Sequence, residues 1–208
     1  MEKNQNIAEF LKQGITITYA VVIALSIQVS KDIFIPFYSI PANIINATVL
    51  FYGYFIIITS WTEYFFSMQK FQLQENFGVG RLVLDFGILF LFYYIIIAAS
   101  QGNGKYLIPD VYMFVTPLIF LLFTLRDIFR IKGNANTSLP KYGNISKTFL
   151  FISIILSLSY VTETYATGFQ SFGPLAFYRD LIFAYLTLVL IVIYRITRWR
   201  QINAAITA

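Results

Sequence analysis

Six apolar segments occupy nearly the whole of this 208-residue chain, and the stretches joining them are too short to fold alone. A helix needs ~20 apolar residues at 1.5 Å each to cross the hydrocarbon core of a bilayer. The pattern predicts helices over about 13–35, 43–68, 80–100, 109–131, 146–167 and 176–198. The expected fold class is therefore all-α, a polytopic membrane protein with six transmembrane helices. Residues 1–208 read as one six-helix unit with no soluble domain.

Lysines and arginines sort onto alternate connections. Lys3, Lys12, Lys70, Arg81, Arg126, Arg130, Lys132, Lys141, Lys147, Arg195, Arg198 and Arg200 fall on one side, and only Lys31, Lys105 and Arg179 on the other. The richer side is expected to face the cytoplasm, which puts both termini inside and the chain in a plasma (inner) membrane. Glu9 before the first apolar run, and Lys31-Asp32 after it, argue against a cleaved signal, so the first segment is expected to stay as a membrane helix.

Composition removes several function classes. Residues are 58% hydrophobic and 12% charged, against about 25% charged in a globular domain. The net charge of +5 sits on the loops that topology requires, so nucleic acid is not an expected partner. The chain has no Cys and no His. Disulfides, thiolate nucleophiles, imidazole metal sites and Ser-His triads are thereby excluded. No cofactor is expected, and no metal site is assigned. Phe77-Gly-Val-Gly80 lacks the strand and third glycine of a dinucleotide loop and reads as a turn.

The ionisable residues within or beside the segments carry the functional hypotheses, because a charge at membrane depth is costly. They form two tiers. The inner tier is Glu63, Arg81, Asp85, Arg126 and Asp127, with Arg81 and Asp85 four apart and so on one helix face. The outer tier is Lys31, Asp32, Asp110, Glu163, Arg179 and Asp180. Each cluster is read either as a path for cations or protons, or as interhelical ion pairs that fix packing. In Lys31-Asp32, Arg126-Asp127 and Arg179-Asp180 the neighbours point about 100° apart, so each is expected to seek its partner on another helix.

Arg195-Ile-Thr-Arg198-Trp-Arg200 resembles a fragment of a voltage-sensing pattern, but at a cytoplasmic end it reads as ordinary stop-transfer arginines with an interfacial Trp199. The fifth segment, with Ser153, Ser157, Ser159, Thr162 and Thr164, is the most polar and is expected to be central or subunit-facing. Ser60-Trp-Thr-Glu-Tyr64 echoes Ser159-Tyr-Val-Thr-Glu-Thr-Tyr165, a faint hint of two inverted three-helix units.

The helix count and size are similar to those of several small channel and transporter families. The TVGYG filter, the FSD signature of a six-helix lysosomal-type potassium channel family and the paired aspartates of CDP-alcohol transferases are all missing. The favoured expectation is an oligomeric channel or transporter for cations or protons, a homo-oligomer in the lipid bilayer. The alternative is a membrane-embedded sensor or adaptor of the stress or phage-defence type. It would bind a cytosolic partner, or lipid headgroups, through Arg130, Lys132, Lys141 and Lys147 on the 126–147 loop. An enzyme is not expected, since no carboxylate pair stands at a fixed helical spacing.

Overall fold

Segments of this apolarity leave their backbone no hydrogen-bonding partner but themselves, which dictates helices. The computed structural model describes residues 2–34, 43–70, 79–101, 111–133, 142–166 and 174–207. They form α1 (Glu2–Phe34), α2 (Ile44–Lys70), α3 (Val79–Gln101), α4 (Thr116–Gly133), α5 (Tyr142–Ala166) and α6 (Pro174–Thr207). A π-helical turn, Val111–Val115, leads into α4. There Thr116 Oγ1 donates to the Val111 carbonyl at 2.9 Å, five residues back. Pro174 opens α6 and Pro117 lies in the first turn of α4, where a missing N–H costs nothing.

These bounds follow the hydropathy reading closely except at the two ends of the chain. α1 begins at Glu2, well before 13, and α6 continues to Thr207 rather than stopping near 198. Five of the six helices are long and apolar enough to cross a membrane. α4 is not among them. Its second half carries Arg126, Asp127 and Arg130, while its first half places Ile119, Phe120 and Phe123 fully inside the bundle.

Short connections make successive helices antiparallel. α1 packs on α2 and α3, α2 on α3 and α6, α3 on α4, and α5 on α4 and α6. The core between them is aliphatic toward α2 and α3 (Leu50, Ile56, Ile95, Ile96) and aromatic toward α4 and α6 (Phe120, Phe123, Phe149, Tyr194). One glycine sets an approach. A Cβ on Gly53 would meet Ile96 Cγ1 at 3.0 Å, so its absence lets α2 and α3 close on each other.

The fifth segment is not central. Phe151, Ile154, Ile155 and Leu158 of α5 are exposed, and several of its hydroxyls turn back onto their own helix. Ser153 donates to the Leu150 carbonyl, Ser159 to Ile155, Thr162 to Leu158 and Thr164 to Tyr160, at 2.7–2.9 Å. A hydroxyl satisfied by the carbonyl three or four residues back needs no neighbour, so polarity alone does not draw a helix inward.

Candidate functional site: a buried arginine–carboxylate cluster

Glu63 lies about two turns before α2 ends at Lys70, and Ser60 precedes it by three, so the two share a face. That face meets α6. There Arg195 and Arg198, also three apart, point inward together. Arg195 Nη1 donates to Glu63 Oε2 at 2.9 Å, and Arg198 Nε to Glu63 Oε1 at 2.9 Å. Arg195 Nη2 also donates to Ser60 Oγ and, at 3.4 Å, to the Ile56 carbonyl. From α4, Arg126 Nη2 reaches Glu63 Oε1 at 3.4 Å, and its Nη1 lies 3.9 Å from Asp85 Oδ1 on α3. Glu63 thus accepts from three guanidinium groups while only 6% exposed.

Asp127 makes the second half of the cluster. It takes both arms of Arg198, Nη1 to Oδ2 and Nη2 to Oδ1, each at 2.6 Å. This is the two-pronged geometry in which a guanidinium binds a carboxylate most strongly. Ser146, near the start of α5, donates to Asp127 Oδ2 at 2.5 Å and lies 3.3 Å from the Tyr194 hydroxyl. Arg198 itself is 2% exposed. Three arginines face three carboxylates drawn from α2, α3, α4 and α6, and their formal charges cancel. Such balance is what makes burial of six ionised groups tolerable.

An aromatic wall bounds the cluster. The Arg126 and Arg195 guanidinium carbons sit 5.1 and 4.8 Å from the Phe123 ring centre, and Arg195 also lies 5.5 Å from that of Tyr194. Phe123 and Tyr194 stack at 5.4 Å with an 11° tilt, and Phe120 and Phe149 pack edge-on against Tyr194. The planar cations gain from the ring faces, and the rings keep that side dry.

A second, smaller cluster occupies the other end of α6, about 24 Å away at 1.5 Å per residue. Arg179 Nε donates to Asp180 Oδ1 at 3.0 Å, and the Tyr160 hydroxyl donates to the same oxygen at 3.1 Å. The Arg179 guanidinium lies over the Tyr160 ring at 5.0 Å.

The structure therefore joins Glu63, Asp85, Arg126 and Asp127 of the expected inner tier. Of the outer tier, four side chains are described. Arg179 and Asp180 are buried together, whereas Lys31 and Glu163 are exposed. Lys147 is exposed as well. The side chains of Asp32, Arg81, Arg130 and Lys132, with residues Asp110 and Lys141, lie outside the described residues. Glu63 is buried and Glu163 exposed, so the two echoing Thr/Glu/Tyr motifs occupy unlike surroundings.

Two expectations are corrected. Arg195 and Arg198 are not stop-transfer residues at the edge of the bundle but central members of the cluster. The available signal was their spacing of three, on a helix whose apolar rhythm runs on to residue 207. The rule that sequence neighbours cannot pair holds for Arg126 and Asp127, which diverge to different partners. It fails for Arg179 and Asp180, because the long arginine side chain folds back until Nε meets the carboxylate. Ser146, Tyr194 and Phe123 were not legible as site residues, since a serine, a tyrosine and a phenylalanine carry no spacing signal here.

Searches against protein-family models, curated proteins and solved structures return no match for this chain. The fold defines its class by itself: an all-helical, apolar bundle of the multi-pass membrane type, with a charge-balanced cluster buried at one end.

Proposed function

We propose that the protein is a small channel or transporter for cations or protons, assembled from several copies, and that the Glu63 cluster is its lock. In this reading all six helices span a plasma (inner) membrane, α4 with the π-helical turn Val111–Val115 added to its length, and both termini face the cytoplasm, so the cluster lies at the inner end. Cysteines placed at positions 103 and 135 test that orientation: the first is expected to label from outside and the second only from inside. The reverse pattern overturns it.

The observation that carries the reading is the threefold engagement of Glu63 by Arg126, Arg195 and Arg198. Ionisable groups at membrane depth mark ion and proton paths, yet a carboxylate held by three guanidinium groups has no room for a passing cation. The arrangement suits a closed state. A shift of α6 that withdraws Arg195 and Arg198 would expose Glu63 and Asp127 together, converting a neutral plug into an acidic constriction. Asp85, 3.9 Å from Arg126, brings a third carboxylate to the cluster from α3.

Cation and proton flux into liposomes holding the purified protein is the test. Asp85→Asn, folded and assembled as the parent, is expected to lower flux about tenfold or more, as lost transition-state charge stabilisation does. Unchanged flux in folded Asp85→Asn removes Asp85 from the path. A parent protein silent to every cation removes the channel reading altogether.

One observation favours the sensor or adaptor reading in that case. Arg126 and Asp127 near the end of α4, and Ser146 near the start of α5, flank the basic 126–147 connection and belong to the cluster. A cytosolic partner bound through Arg130, Lys132, Lys141 and Lys147 would pull on the lock directly.

A further inference from the structure

α1 and α5 lie on opposite flanks, α1 against α2 and α3, α5 against α4 and α6. Their spans are also the least covered: 22% of α1 and 28% of α5 is buried, against 44–61% in the other three spans. Lipid would serve for both faces if they were uniformly apolar and bulky. They are not.

On α1 the residues Ala20, Ala24, Ile27 and Lys31 are exposed and recur at spacings of four, three and four, hence on one stripe. On α5 the exposed residues Ile152, Ile155, Ser159 and Glu163 recur at three, four and four, again on one stripe. The small side chains of α1 permit close helix approach, whereas those of α5 are bulky at the matching level. α1 and α5 are both odd-numbered in an alternating bundle, so they run in the same direction.

The register is what connects them. Lys31 lies eleven residues beyond Ala20, and Glu163 eleven beyond Ile152. If Lys31 of one copy is set level with Glu163 of another, Ile152 comes level with Ala20, Ile155 falls between Ala20 and Ala24, and Ser159 meets Ile27. Opposite charges then pair at the membrane edge while large side chains meet small ones below.

We propose that a second copy of this chain docks here, α1 of one against α5 of the next, in parallel. The contact is head-to-tail, so a docked pair still presents one free α1 and one free α5, and repetition yields a ring if the rotation closes. The inference rests on the multi-copy assembly proposed above and specifies its interface.

The chain has no cysteine, so an introduced pair reports without background. Ile27→Cys and Ser159→Cys, each singly, are to be made in the full-length protein, coexpressed, and oxidised in native membranes. Disulfide-linked dimers are expected only when both variants are present, and a ladder of higher species when one chain carries both. Lys31→Glu is expected to reduce the linked fraction about tenfold, and Lys31→Glu with Glu163→Lys to restore it. Dimers from Ile27→Cys alone would show two α1 helices facing each other and overturn the proposal. An oligomeric mass in nanodiscs with no cross-link overturns this interface and leaves the assembly standing. A monomeric mass for flux-active protein overturns both.

Discussion

Glu63→Gln is expected to destabilise the bundle by about 3–5 kcal/mol, the penalty of leaving a buried charge without its partner. The carboxylate is shared by Arg126, Arg195 and Arg198. Its loss leaves three guanidinium groups with only Asp85 and Asp127, and among the carboxylates of the cluster Glu63 is the one Arg195 bonds. The glutamine amide can still accept a hydrogen bond but carries no charge to offset the excess. A loss of that size is a large share of the ~5–15 kcal/mol that holds a typical native protein together. Glu63→Gln combined with Arg195→Gln returns the cluster to neutrality and is expected to recover much of the loss. The measurement is unfolding of the detergent-solubilised protein by denaturant or heat, with both variants beside the parent. If Glu63→Gln differs from the parent by less than ~1 kcal/mol, a value ordinary for solvent-exposed ion pairs, the cluster is wetter than its burial implies.

The second large effect concerns the pair at its far side. Arg198→Leu and Asp127→Asn are each expected to cost about 3 kcal/mol or more, because both forks of the guanidinium bind Asp127 at 2.6 Å. The double variant is expected to be less damaged than the two losses combined, with a coupling of roughly 2–3 kcal/mol. Arg198→Lys should not rescue, since an ammonium cannot reach Glu63 and both oxygens of Asp127 at once. A double-mutant cycle on purified protein gives the coupling. A value near zero would mean that Arg198 and Asp127 are solvated separately, and the lock would reduce to Glu63 alone. The two predictions also bear on function. If α6 moves to open a path, variants that weaken Arg198–Asp127 without unfolding the protein shift the balance toward the open arrangement.

Much of this was legible in the residues. Helix number and most boundaries followed from hydropathy, because lipid exposure is a property of each ~20-residue stretch. The meeting of Glu63, Asp85, Arg126 and Asp127 followed too, because alternating helices bring those positions to the same end of the bundle. Arg195 and Arg198 were misread for a specific reason. A basic residue near the last apolar turn looks the same whether it turns out to headgroups or in toward Glu63, and the choice depends on an α2 face 132 residues away in sequence.

By itself the sequence determined the class and the segments, since the bilayer as solvent punishes any other placement of long apolar runs. Only the tertiary structure decided which face of each helix turns inward. Lipid tails are as apolar as leucine, so a uniformly apolar helix has no hydrophobic reason to prefer one face. That choice fell to packing and to ion pairs: Gly53 admitting Ile96, Phe123 stacked on Tyr194, and Glu63 gathering its three arginines. It left one face of α5, the segment richest in hydroxyls, on the outside, where Ser159 and Thr162 each find a carbonyl on their own helix.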